Sequence, residues 1–351
     1  MKRYPYFLLV LALLVACKKS PPVDKGTPRT SNEYRNPVFE PILADPTVIR
    51  ADDGWFYAYG TSDDWGDGNG THQVPIVRSK NLTKWEFVSD AFKIRPIWKD
   101  KGGIWAPDIA LVNGKYYLYY AFSIWADPNP GIGLAIADSP AGPFTDVGKL
   151  FLSEEVGVPN SIDPYYFEAE GKKYLFWGSY SNASSQGTYG VELSADGKSV
   201  PDLTKKFKVA AGDFEAVTIQ KKGEYYYFIG SKGGCCDGAS STYQLRVGRA
   251  QDFRGPYLDQ NGKDLKERGA GTLLVHGNAT YAGLGHNSRF FTDDVGTDWL
   301  LYHAILKNNP KVPSGANRRI LMLDKLNWVN GWPEIANAEP GSATMQGPEF
   351  R

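Results

Sequence analysis

Five polar residues recur at the head of similar short segments: Asp45, Asp108, Asp163, Glu215 and His286, spaced by 52 to 71 residues. Four of them are carboxylates, an outcome expected by chance on the order of once in a thousand if positions are independent. Carboxylates gathered at one place repel each other, and partial burial penalises their charged forms, so their proton affinities are driven apart. One ionised carboxylate and one protonated carboxylic acid are the parts needed to hydrolyse a glycosidic bond. The acid protonates the leaving oxygen while the base activates water. Carboxyl groups on separate elements across an opening suit the wider separation of an inverting mechanism, roughly 6.5–9.5 Å.

The elements that must position them are repeated hairpins. In the segment Ser161–Tyr180, a strand over Tyr165–Ala169 is followed by a Glu170-Gly171 turn and a second, aromatic-rich strand over Lys172–Tyr180. Glycine at such a turn adopts positive φ without a Cβ clash. The same plan starts at Ala44, Ala106, Phe214 and Gly285, and each hairpin is followed by a further strand, polar turn and strand. Four short strands per unit and repeats of this length predict an all-β, five-bladed β-propeller in a single domain. In that architecture the first strand of each blade lies beside the central axis, so residues heading these strands converge on one mouth of the channel.

Lysine plus arginine and aspartate plus glutamate number 39 each, which leaves no basic excess for nucleic acid or an anionic membrane surface. A neutral polymer fits better, and the 14% aromatic content supplies flat faces for blade packing and for sugar rings. A monomer is expected. The N-terminus reads as a secretory signal: a basic start, an apolar run from Phe7 to Ala16 too short to span a bilayer, then Cys17. Leu14-Val15-Ala16-Cys17 resembles a bacterial lipobox, which implies a signal over residues 1–17 and lipidation of Cys17. Residues 18–36 then form a tether, and residues 37–351 the propeller, anchored to the cell envelope and facing outward. The tail after Trp332 is read without an element.

Several residues carry competing readings. Adjacent Cys235 and Cys236 have Cα atoms about 3.8 Å apart, short of the usual disulfide range, which leaves a vicinal bridge and two free thiols both open. The loop Ser62–His72 is rich in Asp and Gly but lacks the strict spacing of a calcium loop. Trp65 on it is a ligand platform or core. Trp105 is a sugar platform or blade packing, and the loop Ser123–Gly131 is placed to line a cleft.

Taken together, Ala44-Asp45-Pro46, Trp105-Ala106-Pro107-Asp108, Ser161-Ile162-Asp163-Pro164, Phe214-Glu215-Ala216 and Gly283–Ser288 resemble glycoside hydrolase family 43 over nearly the whole mature chain. Gly230–Ala250, Gly255–Lys263 and Gly269–Asn278 resemble its arabinanase branch. The resemblance implies inverting hydrolysis of α-1,5-L-arabinofuranosyl links in arabinan, with Asp45 as general base, Glu215 as general acid and Asp163 orienting and tuning the acid. Asn160, Ser161, Ile162, Ser179, Tyr180 and Ser181 match sugar-site positions, and Trp105 and Asp108 are expected beside them as further substrate contacts. His286 matches a residue facing a water-coordinated metal ion, usually calcium. Ala44 stands where many arabinanases carry His, and Ala216-Val217 where proline often follows. Endo action is the expectation, with an exo-acting arabinofuranosidase or β-xylosidase as the alternative. A sugar-binding propeller without chemistry fits less well, because its blades would repeat the same contacts, whereas these heads differ in kind.

Overall fold

The computed structural model describes Met1, residues 32–180 and residues 185–350. The Cys17 reading, most of the tether and Ser181 lie outside the described residues. Asn32 to the C-terminus forms one unit built almost wholly of strands.

Five antiparallel sheets follow one another along the chain. Blade one comprises Thr47–Arg50, Phe56–Tyr59, Pro75–Ser79 and Glu86–Asp90. Blade two comprises Gly103–Val112, Lys115–Ser123, Gly131–Ala137 and Thr145–Leu152. Blade three comprises Ile162–Ala169, Lys172–Gly178, Gly187–Glu192 and Phe207–Ala211. Blade four comprises Glu215–Lys222, Tyr225–Lys232, Gln244–Ala250 and Thr272–Val275. Blade five comprises Tyr281–Gly285, Asp298–Leu306, Arg319–Val329 and Trp332–Glu334, with Phe291–Thr292 also paired to its second strand.

The aromatic second strands explain why the blades pack. Side chains on a strand alternate between faces, and here both faces are buried. Tyr57 and Tyr59 pack toward blade two, while Phe56 and Ala58 pack toward blade five. Tyr119 and Tyr117 meet Tyr166 and Trp177 of blade three, while Tyr120 and Phe122 turn back to blade one. Five apolar clusters result, one at each junction between neighbouring blades. Each buried aromatic or aliphatic side chain contributes about 1.5–3 kcal/mol, and a one-residue slip would exchange the two faces of a strand.

Closure of the ring departs from expectation. The fifth sheet is completed by C-terminal strands, as its sequence allows, but the N-terminus also reaches it. Glu33–Tyr34 pairs with Met345–Gln346, inside stretches read as tether and as featureless tail. Asn36 brackets Leu323 with both amide atoms (3.0 and 2.8 Å), the Tyr34 hydroxyl donates to the Leu323 carbonyl (2.9 Å), and Phe39 bridges to Leu321. The folded unit therefore begins before residue 37.

The inner strands share a device that the repeat conceals at sequence level. In each blade one residue has positive φ, Asp45 (54°), Ala106 (42°), Asp163 (54°), Ala216 (57°) and His286 (48°), at a bulge in blades two to five and just ahead of the inner strand in blade one. The residue before it pairs with the second strand: Trp105 with Ala121, Ile162 with Gly178, Glu215 with Ser231, Gly285 with His303. Bulges re-aim side chains at sheet edges, and non-glycine residues at positive φ are costly enough to mark functional positions.

Candidate active site

The bulges open onto a cavity of about 940 Å³ lined by Asp45, Trp105, Ala106, Asn160, Ile162, Asp163, Tyr180, Glu215 and His286, among others. Residues in or beside the inner strands of all five blades meet here, as the repeat predicts. Loops Ile124–Asp127 and Gly233–Asp237 complete the wall. Trp105 packs against the exposed Trp125 with ring centroids 5.4 Å apart, so it belongs to the cavity rim.

Asp45 is held as an anion. Arg319 Nη1 donates to both of its carboxylate oxygens at 2.8 Å, and the Thr61 hydroxyl donates to Oδ2 at 2.5 Å. His286 Nδ1 and His303 Nδ1 each lie 3.3 Å from Oδ1. Burial alone would raise its proton affinity. The Arg319 charge, then His286 and the Thr61 hydrogen bond, outweigh it and hold the carboxyl well below the usual carboxylate range.

Glu215 and Asp163 behave oppositely. Burial pushes Glu215 up to about 7, and the Asp45 charge adds to the rise against a hydrogen bond from Tyr243. Asp163 also rises to about 7, through burial and the neighbouring Glu215 and Asp45, although His286 opposes it and the Ala216 N–H donates to its Oδ2 at 3.1 Å. Burial thus raises the proton affinity of the Asp163–Glu215 pair beside an ionised Asp45, the split between carboxyl groups that acid–base hydrolysis of an acetal requires.

Other members of this cluster were not anticipated. Arg319 comes from the third strand of blade five, Tyr243 from the approach to the third strand of blade four, and Thr61 from the end of the second strand of blade one. His303 accepts from the Asp45 N–H at 3.1 Å through Nδ1, and burial pushes its pKa down to about 3 against the pull of Asp45. It is a neutral imidazole that fixes the Asp45 backbone. Tyr243 stacks on it at 5.8 Å and fits only because residue 285 is glycine, whose Cβ would lie 2.0 Å from the Tyr243 ring.

Three expected sugar contacts are corrected. Asp108 is not at the mouth. It lies two residues beyond its bulge, 4% exposed, in a bidentate pair with Arg289 (2.6 and 2.8 Å), accepting also from Thr47 Oγ1 (2.8 Å) and the Tyr166 N–H (2.7 Å). Ser161 is fully buried, donating to the Val158 carbonyl and accepting from Trp177 Nε1 at 3.0 Å. Ser179 is likewise buried, its hydroxyl bound to the Pro159 carbonyl. Both serines hold the loop that presents Asn160 and Ile162 rather than touching the cavity. Trp65 is core, packed on Phe39 and Phe87. The Asp residues of its loop bind loop N–H groups and His72.

For a metal, no group of three or more His, Cys, Asp or Glu side chains among the described residues could hold an ion. The Asp45 carboxylate is taken by Arg319, which leaves His286 as a single imidazole facing the cavity. This donor set does not build a protein shell for a hard cation. It fits one contact to an ion that keeps its own water.

A five-bladed propeller whose axis cavity holds one ionised carboxylate beside two carboxyl groups of raised proton affinity defines a glycoside hydrolase. The sequence profile described as glycosyl hydrolases family 43 matches residues 34–333, and the chain belongs to that family. It is 33% identical over 306 residues to an extracellular endo-α-(1→5)-L-arabinanase of Bacillus subtilis, covering 83% of this chain and 87% of that one. It is 31% identical over 326 residues to an extracellular exo-α-(1→5)-L-arabinofuranosidase of Cellvibrio japonicus, covering 86% and 88%. An α-L-arabinanase structure from Cellvibrio cellulosa superposes with a TM-score of 0.70 at 29% identity over 84% of this chain and 95% of that one. The family 43 endo-arabinanase of Bacillus licheniformis superposes at 0.68 with 26% identity over 84% and 98%.

Proposed function

We propose that this enzyme hydrolyses α-1,5-L-arabinofuranosyl links within arabinan by single displacement with inversion, acting at internal positions. The observation that carries this is the meeting of three carboxyl groups in one cavity, with Asp45 held by Arg319 and Thr61 while burial raises the proton affinity of Glu215 and Asp163. Asp45 takes a proton from the attacking water, whose oxygen bonds to the anomeric carbon. Glu215 gives its proton to the departing glycosidic oxygen as the carbon–oxygen bond breaks, a contribution of about 10²–10⁴ in rate. Asp163, which accepts from the backbone N–H just after Glu215, orients the acid, and its own proton affinity is raised by Glu215 in turn. Trp105, Tyr180, Asn160 and Ile162 offer the sugar one aromatic pair of faces, one amide and one apolar edge.

His286 would hold a water-coordinated calcium ion, which when bound supplies positive charge beside the base. Calcium binding by titration calorimetry, lost in His286→Ala, tests that part. The curated relatives named above are extracellular, which supports an outward-facing location, here through lipidation of Cys17. Labelling with palmitate should disappear in Cys17→Ala.

Product sizing on linear arabinan tests the main reading. An early ladder of oligosaccharides is expected. Monosaccharide alone from the first turnover would move the enzyme to the exo reading, and silence on arabinan, xylan and aryl arabinofuranoside alike would remove the hydrolytic one.

A further inference from the structure

Cys235 and Cys236 form a disulfide between neighbours in the chain, and both half-buried residues line the catalytic cavity. Neither a core staple nor a loop closure is achieved by joining adjacent residues, so its use must lie in its surface and its local shape. A disulfide presents polarizable sulfur with no strong hydrogen-bond donor or acceptor. It stands in blade four, on a different wall from the Trp105–Trp125 pair of blade two, between the glycine backbone of Gly233 and Gly234 on one side and Asp237 on the other.

The loop that carries it is tightly built. A Cβ on Gly233 would meet the Thr242 carbonyl at 2.5 Å, and one on Gly234 would meet Asp237 Oδ2 at 2.7 Å. The Gly234 carbonyl accepts from the N–H groups of Thr242 (3.0 Å) and Tyr243 (3.1 Å), and the Gly234 N–H donates to Thr242 Oγ1 (3.0 Å). Asn317 Nδ2 donates to the Cys236 carbonyl at 2.9 Å. One end of the loop thus leads to Tyr243, which bonds Glu215, and the other is pinned by Asn317, two residues before the Arg319 that holds Asp45.

We propose that the Cys235–Cys236 disulfide is a substrate-binding surface: an apolar patch that packs against a pentose ring of the bound chain, set in place by a loop shared with the anchors of acid and base. The inference rests on the arabinan reading above. Its loss weakens substrate binding more than it slows chemistry.

The test uses the full chain and linear arabinohexaose, with a water-soluble phosphine as reductant. The phosphine supplies two electrons and becomes its oxide, two protons come from water, and the S–S bond becomes two thiols, verified by maleimide mass shift. Reduced wild type and Cys235→Ser/Cys236→Ser are expected to show KM raised about tenfold, the scale of one lost apolar contact. Their kcat should stay within about threefold of the oxidised enzyme, and the phosphine should add nothing to the double variant. An unchanged KM in wild type verified as reduced overturns the proposal, as does a fall in kcat and melting temperature without a KM change, which would make the bridge a brace only. If oxidised wild type cleaves another glycoside but not arabinohexaose, the arabinan reading fails and takes this inference with it.

Discussion

At the scale of residues, the site separates like groups by their surroundings. Asp45 is bound directly by a guanidinium and a hydroxyl, while Glu215 is raised by burial and the Asp45 charge, with the Tyr243 hydrogen bond and then Arg319 opposing. The sign of the pH dependence follows. An acid whose pKa is raised to about 7 carries its proton below that value and loses it above, so kcat/KM should fall by about tenfold per pH unit beyond neutrality. Asp45, held below the usual range, stays ionised well into acid, so no matching loss is expected between pH values of about 5 and 6. A rate profile from about pH 5 to 9 reads both limbs, and activity rising through pH 8 would contradict the assignment. The carboxylates were legible in the sequence because each heads a repeated segment. Arg319, Tyr243, Thr61 and His303 were not, because they come from second and third strands and carry no recurring pattern. Only folding brings them to Asp45 and Glu215.

At the scale of elements, the recurring unit is the bulge and not the charge. Keying the repeat on acidic residues placed Asp108 at the mouth. Keying it on the residue before proline aligns Asp45, Ala106 and Asp163 through Pro46, Pro107 and Pro164, and puts Asp108 two positions deeper. There it pairs with Arg289, which also donates to the Ile109 and Tyr166 carbonyls and stacks over Tyr165 at 4.4 Å. With the Thr47 hydroxyl included, this one pair ties inner strands of blades one, two and three to the segment that follows the first strand of blade five. Removing one partner of a buried pair strands the other's charge, typically at a cost of about 3–5 kcal/mol. Arg289→Ala should therefore lower denaturant stability by that order, and Asp108→Asn should lower it while leaving KM for arabino-oligosaccharides unchanged. A raised KM in Asp108→Asn at undiminished stability would restore it to the sugar site.

At the scale of the whole molecule, the hairpins, the blade count and the aromatic interfaces were all readable, since they rest on local alternation and turn chemistry. Ring closure was not, because Glu33–Tyr34 and Met345–Gln346 are too short to announce themselves as strands and lie at opposite ends of the chain. A chain shortened to begin at Pro37 loses Tyr34 and Asn36 and should melt several degrees below one that begins at Asn32, by about 4 °C or less per kcal/mol at this size. Equal melting temperatures would make the closure incidental. On the proposed mechanism the ring brings a base from blade one and an acid from blade four to one bond, and leaving-group dependence tests that division most directly. On linear arabino-oligosaccharide, whose leaving group needs a proton, Glu215→Gln should lose about 10²–10⁴ in kcat. On the matching dinitrophenyl glycoside, which departs without one, it should lose less than about tenfold, while Asp45→Asn loses heavily on both. Equal losses for Glu215→Gln on the two substrates, or wild-type turnover in either variant, would contradict the account.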